Sequence, residues 1–190
     1  MKQLIIFLFA NFSLFAQQQI QSIQLNVISE DDKVRIVDSI NKYRRNSGLN
    51  DVVYLHELDT LAKLRTNTIF GHIDTLTEEV ISANPIKQLH FGADNDINRF
   101  IVENLPEDTS FSYVSECSAR LTYSMKSKDL ISTLFKGWKL SPEHWKSIMD
   151  PEFKYVSLYW KKGDKFLIAS LIFFDEKIKI NPEVKKKLSY

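Results

Sequence analysis

The stretch Trp138-Lys-Leu-Ser-Pro-Glu-His144 is the most informative part of the chain, because it joins two predicted helices. The apolar residues that lead into it recur at helical spacing and form one stripe, namely Leu130, Ile131, Leu134, Phe135 and Trp138. Gly137 and the pair Ser141-Pro142 are predicted to bend or break the chain. Pro142 suits the first turn of a new short helix with Ser141 as its N-cap, so His144 is expected in that turn.

His144 has two interpretations at this point. An imidazole held between Trp138 and Trp145 can act as a ligand or as a proton carrier. Alternatively, the ring only packs near a helix start, since histidines with an ordinary pKa are common in proteins. The stretch by itself leaves both interpretations open.

Length, charge and the N-terminal residues limit the class of protein. A chain of 190 residues is by default one domain. The net charge of +1, without a basic arm or an arginine-rich helix, gives no reason to expect a nucleic-acid partner. Residues 1–16 are predicted to be a signal peptide cleaved near Ala16, with Lys2 before an apolar core that is short for a transmembrane helix. We therefore expect a secreted or periplasmic protein without a transmembrane segment.

The remaining chain is predicted to contain a flexible lead-in (17–30), the folded domain (31–176) and a C-terminal extension (177–190). Helices are predicted over 31–47, 57–70, 97–105, 129–138 and 142–149, and strands over 113–124, 155–160 and 166–174. Gly48 is expected to end the first helix. The last two strands are almost continuously apolar, so both faces of their sheet should be covered, which predicts a three-layer α-β-α sandwich.

The single cysteine, Cys117, cannot form an internal disulfide. Because it lies in an apolar, strand-like run, a buried and inert thiol is the simplest interpretation. An intermolecular bridge or a reactive thiol is the alternative for a secreted chain.

Two motifs resemble a known family. The W-x-x-S-P-x-H pattern of Trp138-Lys-Leu-Ser-Pro-Glu-His144, followed by Pro151-Glu-Phe153, resembles the bacterial SCP-like branch of the CAP superfamily. That superfamily contains cysteine-rich secretory proteins, antigen 5 and plant pathogenesis-related proteins. Asn41-Lys-Tyr-Arg44 with Gly48-Leu49 looks like the family's N-x-x-R-x-x-x-G-L opening. The resemblance spans roughly residues 34–174 and implies an α-β-α sandwich, α/β in class, around a mainly antiparallel sheet.

The same resemblance implies a surface cleft in which two histidines and an acidic residue meet. His144 matches the second histidine, and Glu116 matches the glutamate of the family's G-E-N motif, although the local sequence is Ser115-Glu-Cys117. The spacing before Glu116 favours His90 as the first histidine, with His72 as the alternative. His90 and His144 would then be candidate ligands for a divalent metal such as zinc. No residue is assigned a catalytic role.

Three functions remain open on these observations. The first is a non-enzymatic extracellular binding module for a lipid, a small extracellular ligand or a cell-surface protein, as the resemblance implies. The second is a metal-assisted hydrolase that uses His90, Glu116 and His144, with the glutamate as a base on water. The third is a structural module with a decayed cleft, in which Glu116 merely pairs with Arg120 or a lysine. No G-x-S-x-G, H-E-x-x-H or phosphate-binding glycine loop is present in the sequence.

Overall fold

The computed structural model describes residues 29–90, 97–104, 113–122 and 127–176. The helices are α1 (Glu30–Asn46), a short 3-10 helix (His56–Leu58), α2 (Asp59–Asp74), α3 (Glu78–Ala83), α4 (Pro85–Leu89), α5 (Ile97–Asn104), α6 (Ser127–Leu140) and α7 (Pro142–Ile148). The strands are β1 (Val53–Tyr54), β2 (Val114–Thr122), β3 (Tyr155–Lys162) and β4 (Phe166–Phe174). The predicted signal peptide, nearly all of the lead-in and the C-terminal extension lie outside these residues. Within them, no helix combines the length and apolar character needed to span a membrane.

The four strands form one sheet in the order β1-β3-β4-β2. Strand β4 is antiparallel to both β3 and β2, whereas β1 runs parallel to β3. The sheet is therefore mixed, which corrects the expectation of a mainly antiparallel sheet. Parallel neighbours require a crossover connection, and here all the elements from α2 to α7 lie between β1 and β3 in the chain.

Helices cover both faces of the sheet, so the predicted α-β-α sandwich is confirmed. On one face, α1, α6 and α7 contribute Ile36, Val37, Ile40, Leu134, Phe135, Trp138 and Ile148 to a core with the odd-numbered residues of β4. On the other face, α2, α3 and α5 contribute Leu61, Ala62, Ile69, Phe70, Ile73, Ile81, Ile97, Phe100 and Ile101. Every residue of β4 is buried, as its continuous apolar run predicted.

A buried arginine ties α1 to the loop before β3. The Arg44 side chain donates hydrogen bonds to four backbone carbonyl oxygens, those of Asn50 (2.7 Å), Ile148 (2.9 Å), Asp150 (2.8 Å) and Phe153 (3.0 Å). The guanidinium is fully buried. Five N–H donors in a fixed plane suit this arrangement, which a lysine ammonium could not reproduce. Arg44 thus connects the segment after α1 with the end of α7 and the loop before β3.

Several predicted chain breaks differ in the structure. Gly137 lies inside α6, so it does not end that helix. Ser141 is the N-cap residue of α7, but its side chain makes no capping hydrogen bond. Pro85 begins α4, where Asn84 Oδ1 accepts a hydrogen bond from Lys87 N at 3.1 Å. Proline needs no backbone donor at the first position of a helix, so it begins α4 without the loss of a hydrogen bond.

Candidate functional site

The site is built on β2, a strand at the edge of the sheet, where Glu116 points toward α2. Arg65, from the buried face of α2, meets this carboxylate with two hydrogen bonds. Arg65 Nε lies 3.0 Å from Glu116 Oε1, and Arg65 Nη2 lies 3.1 Å from Glu116 Oε2. Both side chains are buried. The pair is therefore a bidentate ion pair, in which the planar guanidinium forms two hydrogen bonds to the two carboxylate oxygens.

Two further donors complete the surroundings of Glu116. Ser118 Oγ donates to Oε1, and Ser118 in turn lies 2.9 Å from Ser170 Oγ on β4. His90, directly after α4, places Nδ1 at 3.4 Å from Oε2. Each carboxylate oxygen has two acceptor positions. Arg65, Ser118 and His90 together occupy all four, so Glu116 has no free lone pair for another ligand.

The protonation of Glu116 follows from these contacts. Burial alone would raise its pKa, but the hydrogen bond from His90 and the positive charge of Arg65 outweigh burial and lower the pKa. The carboxylate is therefore ionised at neutral pH and is a weak base. A general base works best with a pKa near the working pH, so this environment is unsuited to proton abstraction.

His144 reaches the same site from α7, which packs against the other face of the sheet. Two contacts fix α7 at the edge: Cys117 Sγ donates to the His144 carbonyl oxygen at 3.5 Å, and the hydroxyls of Ser115 and Ser147 lie 2.7 Å apart. The rings of His90 and His144 then face each other with centroids 6.4 Å apart. Within the described residues, neither ring nitrogen of His144 has a hydrogen-bond partner.

His144 is half-buried, and its pKa is lowered from the ordinary value. Burial is the largest cause of the lowered pKa, and the electrostatic effect of the neighbouring His90 adds to it, against opposing effects of Glu116 and Glu143. His144 is therefore neutral at pH 7. The cleft presents an uncharged imidazole beside a carboxylate that is already saturated with donors.

The sequence model of the cysteine-rich secretory protein family, CAP, matches residues 37–173. This match covers most of the chain. The chain belongs to the CAP family. No curated protein sequence matches it.

Solved structures share the CAP fold at low sequence identity. An outer surface protein of Borrelia burgdorferi has a TM-score of 0.52 and 18% identity, covering 80% of this chain and 97% of that protein. A cysteine-rich secretory protein of Staphylococcus aureus has a TM-score of 0.44 and 14% identity, covering 75% of this chain and 38% of its own. An extracellular SCP-domain protein of Bacillus anthracis has a TM-score of 0.44 and 14% identity, covering 80% and 45%. This chain therefore spans less than half of each of the last two proteins.

In this CAP domain the two candidates for the first histidine of the cleft, His90 and His72, have different partners. His90 lies against Glu116, whereas His72, at the end of α2, approaches Gln88 Oε1 with Nε2 at 2.6 Å. The structure therefore brings together His90, Glu116 and His144. The alternative pairing of Glu116 with Arg120 is not observed, because Arg120 pairs with Glu78 instead.

Arg65 is the member of the site that the sequence analysis missed. It lies on the apolar face of α2, one turn from both Leu61 and Ile69, where a charged residue needs a partner. Glu116 is buried on β2, a strand that also carries Arg120 and two serines. The apolar surroundings of Arg65 indicate that it needs an acidic partner, but they do not identify Glu116 as that partner.

The CAP domain offers an incomplete set of ligands for zinc at this site. Two imidazoles are available, but Glu116 has no free acceptor, and zinc sites usually have three or four protein ligands. Among the described residues, the three side chains with ligand atoms within 4.8 Å of one another are Glu30, His56 and Asp59. There, the Lys33 ammonium already lies 2.7 Å from Asp59 and 2.9 Å from Glu30. A resident zinc ion therefore does not fit the described residues at the cleft.

Cys117 is fully buried, on the face of the sheet opposite Glu116. Burial raises its pKa, so the thiol stays protonated. Its hydrogen bond to the His144 carbonyl gives this residue a positioning role. This environment supports the interpretation of Cys117 as an inert thiol.

Replacing His90 with glutamine is expected to raise the pKa of His144, because the substitution removes the electrostatic interaction with His90 that disfavours protonation of His144. Proton NMR titration of the ring signals measures this shift directly. His72→Gln is the matched control and should leave the His144 pKa unchanged. Because folding lowers this pKa below 6.5, the stability that His144 contributes is present above pH 6.5 and lost as the pH falls through the folded pKa. An unchanged His144 pKa in His90→Gln would contradict the facing arrangement of the two rings.

Proposed function

We propose that this CAP domain is a non-enzymatic extracellular binding module whose ligand contacts His90 and His144. The observation that carries the proposal is that Arg65, Ser118 and His90 occupy all four hydrogen-bond acceptor positions of the Glu116 carboxylate. A carboxylate in that state supports the shape and charge of the cleft, but it has no free lone pair with which to take a proton or hold an ion. Binding of a ligand requires only contacts with the imidazoles of His90 and His144.

The hydrolase alternative requires Glu116 to act on water. The carboxylate would first have to release one of its donors, and its lowered pKa would leave little driving force for proton transfer. A metal could activate water instead, but the cleft supplies only two imidazole ligands among the described residues. Both requirements make binding the better supported function.

The chemistry of the cleft indicates the ligand's polar group. Arg65 and Glu116 neutralise each other, and His144 is uncharged at neutral pH. A neutral imidazole has one donor and one acceptor nitrogen, which suits a hydroxyl or an amide. A lipid or other small extracellular molecule with such a group, or a polar side chain of a cell-surface protein, would fit these contacts. The apolar leader in residues 1–16 supports an extracellular or periplasmic location.

The proposal is tested by screening small alcohols and amides against ¹⁵N-labelled protein. Binders should shift the amide signals of His144 and Ser147, and the shifts should disappear in His90→Gln/His144→Gln. His72→Gln should bind like the wild type. The absence of binders, or equal binding by the double variant, would favour a structural module.

A calorimetric titration with zinc chloride distinguishes the remaining alternative. We expect no stoichiometric zinc binding to the metal-stripped protein. A stoichiometric site that is lost in His144→Ala and retained in His72→Ala would overturn the proposal and restore a metal-assisted hydrolase.

A further inference from the structure

A second concave surface lies between α1 and α6, away from the strand that carries Glu116. Its volume is about 620 Å³, within the range of ligand-binding pockets. Tyr43 and Phe135 contribute stacked rings to its lining, with centroids 5.6 Å apart. Four cationic side chains also line it, Arg35 and Lys42 from α1 and Lys136 and Lys139 from α6, and none of the described residues that line it is acidic. We call this surface the basic groove.

The charges of the basic groove are largely uncompensated. Arg35 pairs with Asp32 at 3.2 Å. Lys42, Lys136 and Lys139 form no ion pair with any residue in the described parts of the chain. The whole protein has a net charge of only +1, so the groove is a local concentration of positive charge. Such a concentration attracts an anionic partner.

Lys139 is held in place without a carboxylate. Its ammonium lies 4.8 Å from the centroid of the Tyr43 ring and 5.7 Å from that of the Trp145 ring. These two rings meet edge to face at 5.2 Å. Cation–π contacts of this kind orient an ammonium while leaving its hydrogen-bond donors available. The charge is thus positioned before a ligand arrives.

Cationic and uncharged polar residues alternate along the two helices that line the basic groove. Along α1, Arg35, Ser39, Lys42 and Asn46 follow one another at three- or four-residue steps, which places them on one face of the helix. The two cations on this wall are separated by roughly 10 Å along the helix axis, at about 1.5 Å per residue. Facing them, Ser132 precedes Lys136 by one turn. A ligand that matches this pattern carries several anionic groups with hydroxyls between them.

We propose that the basic groove binds an anionic polysaccharide, a sugar chain that bears sulfate, phosphate or carboxylate groups. The lysines would pair with the anionic groups, and Ser39, Ser132 and Asn46 would hydrogen-bond to sugar hydroxyls. A single small anion would engage only part of a charge array of this length. This site is separate from the histidine cleft, so either can be present without the other.

The probe is a heparin-derived hexasaccharide, titrated calorimetrically into the whole protein. We expect binding that weakens as salt is added, since ion pairs at an exposed surface are screened. Lys42→Glu/Lys136→Glu should reduce affinity at least about tenfold through removed attraction and added repulsion. Lys87→Glu/Lys154→Glu carries the same change in net charge at exposed lysines outside the groove, and its affinity should change less than about twofold.

The other outcomes each overturn the proposal. Equal losses in the two charge-reversal variants would show non-specific attraction. Tighter binding of a hexaglutamate peptide than of the hexasaccharide would indicate an acidic protein partner, and tighter binding of phosphatidylglycerol vesicles would indicate a membrane surface. Equal affinity for neutral maltohexaose would show that charge plays no part. Circular dichroism of each variant confirms that the exposed substitutions leave the fold intact.

Discussion

Glu116→Gln is expected to lower the free energy of unfolding by about 3–5 kcal/mol, because it leaves the buried Arg65 guanidinium without its counter-charge. The substitution keeps the size of the side chain, so the loss reports on charge and hydrogen bonding. Urea denaturation at neutral pH measures it as a shift of the midpoint with little change in slope. Glu78→Gln is the matched control: it breaks the ion pair with Arg120, but Glu78 is largely exposed and the loss should stay below about 1 kcal/mol.

A double-mutant cycle shows whether this loss comes from the Arg65–Glu116 pair. Arg65→Met should be destabilising by a similar amount, whereas Arg65→Met/Glu116→Met should cost far less than the sum, since no unpaired charge remains buried. Additive losses would contradict direct coupling between the two side chains.

The Arg65–Glu116 pair also predicts how the stability of the protein changes at low pH. Because folding lowers the Glu116 pKa below its ordinary value of 4.5, its contribution to stability is complete above pH 4.5 and is lost as the pH falls through the folded pKa. The wild type should therefore lose stability in acid more steeply than Glu116→Gln. Parallel pH profiles for the two proteins would contradict the proposed ionisation.

Arg44→Lys is expected to cost about 2–4 kcal/mol, because an ammonium with three donors cannot reach the four carbonyl oxygens that the guanidinium binds. Arg44→Ala should cost more and is best studied at low temperature, where folded protein is easiest to retain. Urea midpoints compare both variants with the wild type. Arg45→Lys is the neighbouring control, since Arg45 is exposed and pairs with the exposed Asp51, and its cost should stay below about 0.5 kcal/mol. Equal stability of Arg44→Lys and wild type would contradict the structural role of the four hydrogen bonds.

Patterns within single elements were readable from the sequence. The apolar run of β4 predicted a strand covered on both faces, and the stretch from Trp138 to His144 placed His144 in the first turn of α7. Gly48 has the positive φ of 73° that favours glycine at a helix end, as expected from its position. These features depend on local periodicity and on the conformational preferences of a few residues, which the sequence expresses directly.

Relations between distant elements were harder to predict. The sequence did not assign Arg65 to Glu116, because the two residues are 51 positions apart and meet only when α2 packs on the sheet. Nor did it predict α4, since a proline such as Pro85 occurs both at the start of a helix and at a break between elements. The parallel direction of β1 depends on the path of the whole chain between β1 and β3. Each of these follows from tertiary packing.

The order of strands in the sheet has a consequence for biosynthesis. Every strand pairing in the described sheet involves β3 or β4, the two strands made last. A nascent chain that has been synthesised only as far as Ile148 therefore has α1, α2 and β2 but no partner strand for any of them to pack around. The apolar faces of its helices stay exposed until the hairpin of β3 and β4 has been synthesised. Exposed apolar segments of this kind are prone to aggregate. The sheet can form only after β4 has been synthesised, and a truncation before Tyr155 would leave β1 and β2 without their partner strands.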